Sequence, residues 1–149
     1  MLKQISIFIE NKPGRIADVT GYLADQGINL HALSIADTTD FGILRLIVSD
    51  ADKTKDILKS KGLMVKIIDV IAVAMEHTPG SLHKVLRELE TLDINIEYMY
   101  AFTSRSKDHD AIVILRLNNQ DEAIEKLKGS KVKVLGDDLL DHLNEQICS

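Results

Sequence analysis

The 149-residue chain repeats itself. At a constant offset of sixty-six residues, Ile5, Ile7, Glu10, Pro13, Gly14, Val19, Leu23, Ile28 and Asn29 fall on Ile71, Val73, Glu76, Pro79, Gly80, Val85, Leu89, Ile94 and Asn95. Identities survive and so does the phase of the apolar residues, so both units must fold alike. Length alone allows either one ordinary domain or two small ones, and the repeat decides for two.

In the first unit Ile5, Ile7 and Ile9 alternate with Ser6 and Phe8, which predicts a strand over residues 3–10. Beyond Asn11-Lys12-Pro13-Gly14 the period lengthens. Ile16, Val19 and Leu23 form the apolar stripe of a helix reaching about Gln26, with Gly27 as its stop. Asn11 is expected to cap this helix, its side-chain oxygen accepting the N–H of Gly14, with Pro13 in the first turn where its missing donor costs nothing. Strands at Leu30–Ala36 and Ile43–Val48 should pair through the turn Asp37-Thr38-Thr39-Asp40. A second helix follows, capped by Asp50 or Asp52, with Ile57 and Leu58 inward and Gly62 at its end. Val65–Met75 is nearly apolar for eleven residues, longer than a typical strand, and reads as two strands meeting near Asp69.

The second unit continues with a strand Ile96–Thr103, a polar loop Ser104–Asp110, a strand Ala111–Leu117, a helix around Ala123, Ile124 and Leu127, and a strand Val132–Leu135. Each unit therefore reads βαββαβ. That order describes an α+β, ferredoxin-like unit with two helices on one face of an antiparallel four-stranded sheet. The expected domains are 1–69 and 70–136, followed by a C-terminal helix in 137–149. Asp137 should cap that helix and Leu139, Leu140, Leu143 and Ile147 share one side of it, either as a lid over apolar surface or as a contact with a second subunit.

Composition excludes several function classes. With 45% hydrophobic and 28% charged residues the chain can build a core, and no apolar run is long enough to span a bilayer. The residues after Met1 lack the features of a signal peptide, so a cytoplasmic location is expected and no membrane partner. The net charge is −5 and the lysines are scattered among Asp and Glu, which argues against a surface that tracks phosphates and against nucleic acid as a partner. Cys148 is alone and forms no CxxC pair. His31, His83, His109 and His142 have no metal-ligand spacing, so neither metal nor cofactor is expected. There is no G-x-S-x-G, no H-E-x-x-H and no GxGxxG after a strand, so no catalytic residue is predicted and the chain is not expected to be an enzyme. Arg45 and Arg116, on the third strands, are expected in surface ion pairs.

A strand, then N-x-P-G, then an amphipathic helix, then G-I-N opening the next strand, is similar to the ACT domain, a small ligand-binding regulatory module. The similarity covers nearly the whole chain, twice, and with no catalytic domain alongside it resembles the stand-alone tandem ACT proteins. The resemblance implies binding of a free amino acid at an interface between two ACT modules, by the first strand-helix loop and the Asn opening strand two. Asn11, Gly14 and Asn29 fall on the family's ligand-contacting positions. In the second unit His77 replaces the Asn, while Gly80 and Asn95 match and Ser81 follows. A neutral imidazole offers one donor and one acceptor where an amide offers two donors and an acceptor. The first loop is therefore read as the working site, and the second as a degenerate or differently tuned copy.

Magnitudes bear on this reading. A helix dipole supplies about 0.3 to 1 kcal/mol to an exposed carboxylate, whereas millimolar to micromolar affinity needs about 4 to 8 kcal/mol. Charge-assisted bonds from the N–H groups of Gly14, Arg15 and Ile16, at about 1.5 to 3 kcal/mol each, would cover most of the gap. Tyr98, Tyr100 and Phe102 share the phase of Ala32, Ser34 and Ala36, whereas Leu33 and Ile35 belong to the helix-facing set. The aromatics should thus lie on the helix-free face, packed in a homodimer or against the other unit, or stacking bases as in an RNA-binding module. The principal function readings are an amino-acid sensor, whose ligand shifts assembly or partner contact, and a non-catalytic subunit of an amino-acid metabolic enzyme with empty loops.

Overall fold

A computed structural model describes residues 1–37, 40–103 and 111–145. His109, Ile147, Cys148 and the loop Ser104–Asp110 lie outside the described residues, as do Thr38 and Thr39 of the first hairpin turn. The chain divides into two compact units, Lys3–Asp69 and Val70–Ser149, the second joined by Met1–Leu2. Both are ferredoxin-like α+β units.

The first contains β1 (Leu2–Glu10), α1 (Arg15–Asp25), β2 (Leu30–Asp37), β3 (Phe41–Val48), α2 (Ala51–Ser60) and the opening half of β4 (Met64–Met75). Its strands lie in the order β2-β3-β1-β4. The alternation of isoleucines along β1 sets the register: Ile5 opposes Leu46 and Ile7 opposes Leu44, so all four side chains share one face. They are fully buried, in one core with Val19 and Leu23 of α1 and Leu58 of α2. Val19 and Leu23 are four residues apart and therefore stack on one side of their helix. Asp50 caps α2, its Oδ1 accepting the Lys53 N–H at 3.0 Å.

The second unit contains the rest of β4, α3 (Ser81–Thr91), β5 (Ile96–Thr103), β6 (Ala111–Leu117), α4 (Gln120–Leu127), β7 (Lys133–Val134) and α5 (Leu139–Glu145). Within it β6 lies between β4 and β5, and β7 pairs with β4. Ile71, Val73, Leu89, Val113, Leu115 and Leu127 form its core.

The repeat extends to the backbone. The Asp18 N–H donates to Gly14 O at 2.9 Å, as Lys84 does to Gly80 O at 3.0 Å. Ile28 donates to Leu23 O at 2.9 Å, as Ile94 does to Leu89 O at 2.9 Å. Ser49 donates to Asn29 O and Asn118 to Asn95 O, both at 3.0 Å.

Three expectations are corrected. The apolar run after Val65 is not two strands: β4 is one unbroken strand of twelve residues, and the boundary between the units falls inside it, after Asp69. No Pro or Gly interrupts Met64–Met75, and β-branched residues dominate it, so nothing breaks the extended backbone. The last strand shrinks to Lys133–Val134, with the Leu135 N–H still reaching Ala72 O at 2.9 Å. Asp137 is not the cap of α5. The carbonyl of Asp138 accepts the first helical bond, from His142 at 3.1 Å, while the Asp137 carboxylate accepts from the N-terminal ammonium at 2.9 Å. Leu139 and Leu143 of α5 are each 5% exposed, so this side of the helix is covered within a single chain.

Tyr98 opposes Arg116, Tyr100 opposes Ile114 and Phe102 opposes Ile112, on the face of β6 turned away from the core residues Val113 and Leu115. The three aromatics are half-buried there. Leu33 and Ile35 oppose Leu46 and Leu44 and so face the helices, yet they are 43% and 45% exposed because β2 is the edge strand. Among the described residues no helix is long and apolar enough to cross a membrane.

Candidate functional site

Asn11-Lys12-Pro13-Gly14 joins β1 to α1 by a tight turn. The Arg15 N–H donates to Lys12 O at 3.3 Å, and Gly14 adopts φ 87°, ψ −12°. With Pro at the second position and a left-handed Gly at the third, this is the geometry of a type II turn. It overturns the expected cap. The helix starts at Arg15, Gly14 is its N-cap residue, and Asn11 lies one residue ahead of the turn, its backbone N–H held by Asp40 O at 2.9 Å. Pro13 belongs to the turn, and the Arg15 N–H, one of three donors expected for a ligand carboxylate, is already engaged. The second loop has the same geometry, with Ser81 N–H donating to Thr78 O at 3.2 Å and Gly80 at φ 87°.

The side chains differ between the two turns. In the first, Glu10 Oε2 lies 2.9 Å from Lys12 Nζ and 3.8 Å from the Arg15 guanidinium. The hydrogen bond from Lys12, its charge, and more weakly that of Arg15 hold the Glu10 carboxyl below its usual range, against a small opposing effect of desolvation. In the second, Thr78 and Ser81 stand in place of Lys12 and Arg15, their hydroxyls 2.7 Å apart. His77 is exposed beside them.

Beside the first turn lies a cavity of about 400 Å³, within the first unit. Arg15, Asp18, Val19 and Tyr22 line it from one side of α1, which their spacing of three and four residues places together. Phe8, Ile9 and Glu10 come from the end of β1, Phe41 from the start of β3, and Lys61–Met64 from the turn into β4. Phe8 and Phe41 stack with centroids 5.0 Å apart and planes at 19°. Lys61 Nζ lies 5.0 Å from the centre of the Tyr22 ring. The lining thus combines apolar side chains with two cationic and two anionic ones, Arg15 and Lys61 against Glu10 and Asp18.

Of the expected site residues, Arg15 lines this cavity. Asn11 and Gly14 are in the adjoining turn, and Ile16 packs against the core. Asn29 is elsewhere. The pairing of Glu10 with Phe41 places the loop at the start of β3, whereas Asn29 bonds Ser49, just past the end of β3, in both directions at 3.0 Å. The eleven residues of α1, about 16 Å at 1.5 Å each, separate the two asparagines within one unit. In the second unit Asn95 lines a cavity of about 330 Å³ with Glu90 and Asp93, apart from His77, Gly80 and Ser81. Glu10, Asp18, Tyr22 and Lys61 escaped the sequence reading, although Arg15, Asp18 and Tyr22 recur at helical spacing beside the apolar stripe. Phe8 and Phe41 look like ordinary strand residues and carry no such signal. The half-buried Arg45 opposes Ser6 and Ser34, and Arg116 meets Glu97 at 3.7 Å. Among the described residues no three His, Cys, Asp or Glu side chains gather as a metal site needs.

Residues 1–144 match a family described as ACT domain pair. The acetolactate synthase small subunit of Mycobacterium bovis is 26% identical over 126 residues, covering 83% of this chain and 69% of its own. That of Buchnera aphidicola subsp. Schizaphis graminum is 26% identical over 73 residues, 49% of this chain and 46% of its own. The chain thus spans about half the length of the Buchnera relative. Among solved structures, protein BT0572 of Bacteroides thetaiotaomicron is 47% identical with a TM-score of 0.83, covering 93% of this chain and 94% of its own. The regulatory subunit of aspartate kinase from Thermus thermophilus shares the fold at 18% identity, with a TM-score of 0.60 over 87% of this chain and 91% of its own.

Proposed function

The chain belongs to the family of ACT domain pairs, and on that premise we propose that it is a non-catalytic regulatory protein that binds a free amino acid beside its first strand-helix turn. The cavity, lined by both signs of charge and by apolar side chains, carries the reading. A zwitterion needs a cation for its carboxylate, an anion for its ammonium and room for a side chain, and about 400 Å³ is in the range of small-molecule sites. Arg15 and Lys61 serve the carboxylate, joined by the N–H groups of Gly14 and Ile16. Glu10 and Asp18 serve the ammonium, the Glu10 carboxyl being held below its usual range by Lys12 and, more weakly, Arg15. The Arg15 guanidinium takes over from its engaged N–H. Charge-assisted bonds at about 1.5 to 3 kcal/mol each reach the 4 to 8 kcal/mol of a millimolar to micromolar sensor, once ordering costs are subtracted.

Asn11 lies next to Glu10 in the chain, at the entry to the turn adjoining this site. Asn29 joins it only where another ACT module brings the start of its β2 to the loop, which makes the site an ACT–ACT interface and the working form a homodimer. The second unit keeps Gly80 and Asn95 but carries His77 and Ser81 in place of Asn11 and Arg15, and its turn is the degenerate copy. Ligand binding then biases assembly or contact with a partner, by a coupling typically of about 1 to 3 kcal/mol. The names of the matched relatives favour a second reading, a subunit of an amino-acid metabolic enzyme that carries no ligand of its own.

A thermal-shift screen against the twenty amino acids separates the two. At about 100 times the dissociation constant, a ligand adds about 2.7 kcal/mol and raises Tm by a few degrees. Silence across the screen sinks the sensor and leaves the subunit. With a hit in hand, Asn11→Ala weakens binding more than His77→Ala does.

A further inference from the structure

All three aromatic residues of the first unit, Phe8, Tyr22 and Phe41, line the same cavity. They come from β1, α1 and β3, so no local pattern gathers them. The repeat supplies a comparison inside the same molecule: Phe8 corresponds to Ala74, and Tyr22 to Glu88. The same backbone frame folds in the second unit without these rings, so the frame does not require them. Nor does the core of the first unit, because Phe8 and Phe41 remain 45% and 42% exposed. Exposed apolar rings are costly to keep in water unless something covers them. Met64 adds a thioether at the same wall, a group that pairs well with ring edges.

From these contacts we infer that the ligand of the first unit is an amino acid with an aromatic side chain, its ring extending the Phe8–Phe41 stack while Arg15, Lys61, Glu10 and Asp18 hold its charged groups. The inference rests on the amino-acid reading of the cavity and narrows it. Phe8 and Phe41, stacked at 5.0 Å, supply a π-surface of the kind that takes a third ring in offset or edge-on geometry. Lys61, 5.0 Å above Tyr22, moves from a ring to a carboxylate when the ligand enters, exchanging one weak cation contact for a stronger one. An aliphatic side chain gains the burial without the ring contacts.

The chain contains no tryptophan, so L-tryptophan bound to the full-length protein, excited at the red edge of its absorption where the three tyrosines do not absorb, reports itself by its own fluorescence. L-Phenylalanine and L-tyrosine are then measured by displacement, beside L-leucine and L-serine. Aromatic amino acids bind roughly tenfold more tightly than L-leucine, and Phe8→Leu and Tyr22→Leu each weaken L-tryptophan roughly three- to tenfold while leaving L-leucine within about twofold. Both variants keep an apolar side chain at a partly exposed position, and a melting curve confirms that each folds. L-Leucine or L-serine bound as tightly as the aromatics, and lost in Arg15→Gln, overturns the aromatic assignment and leaves the amino-acid site standing. Aromatic binding undiminished in both leucine variants also overturns it, because the rings then lie elsewhere. No binding by any amino acid removes the assignment and the amino-acid reading together.

Discussion

Gly14 and Gly80 have φ 87° each, and nothing lies within 4 Å of a Cβ built on either. Alanine at either position therefore meets no steric clash with its surroundings and costs the left-handed backbone alone, about 1 to 2 kcal/mol. Chemical denaturation should give equal losses for Gly14→Ala and Gly80→Ala, whereas only Gly14→Ala should reduce ligand affinity. Glu10 makes a second prediction. Its carboxyl is lowered by the Lys12 hydrogen bond and charge, so it contributes stability above its unfolded value, and the contribution is lost as the pH falls through the lowered folded value. The group is solvent-exposed, so the effect on stability is slight and an NMR titration is the measurement that reads it. In Lys12→Met the Glu10 midpoint should rise toward the ordinary glutamate range; an unmoved midpoint removes Lys12 as the cause. These residues also mark where sequence reasoning stopped. Pro13 and Gly14 were visible because a turn needs them. Glu10, Tyr22 and Lys61 were not, because their meeting depends on the register of β1 and on where α2 ends.

The opening turn of α1 was misread for a physical reason. Asn-x-Pro-Gly satisfies both a side-chain cap with Pro in the first helical turn and a type II turn with Gly left-handed, and only the φ of Gly14 distinguishes them. The stripe of α1 was legible because Val19 and Leu23 must share a face, and they are 1% and 0% exposed. Leu23→Ala and its counterpart Leu89→Ala should each cost about 2 to 5 kcal/mol, read from denaturant midpoints at unchanged slope. The hairpins were legible too, since in each a short polar stretch separates the two strand-like runs that pair. Strand β4 was not, because typical strand lengths argued for a break where the residues themselves contain no breaker.

For the whole chain, the duplication made the fold readable and obscured the site. Pro, Gly and Asn recur in both units because the turns need them, and Glu10 recurs as Glu76, whereas Phe8, Arg15, Asp18 and Tyr22 of the cavity give way to Ala74, Ser81, Lys84 and Glu88. Calorimetry should accordingly find one amino acid per chain; two would mean that the second turn also works. Light scattering should find two copies of the 16.6 kDa chain, and a monodisperse monomer would remove the homodimer from the proposal. The continuity of β4 has a further consequence, for how such a chain can lengthen or shorten. Asn29 and Ser49 are twenty residues apart, and their counterparts Asn95 and Asn118 twenty-three, so the hairpin of the second unit has absorbed three extra residues. Strand β4 has no such latitude. One residue inserted between Ile71 and Val73 sets their side chains on opposite faces and turns one of them out of the second unit's core, whereas two restore it. Evolution can edit the hairpins of this molecule one residue at a time, but the strand common to both units only in pairs.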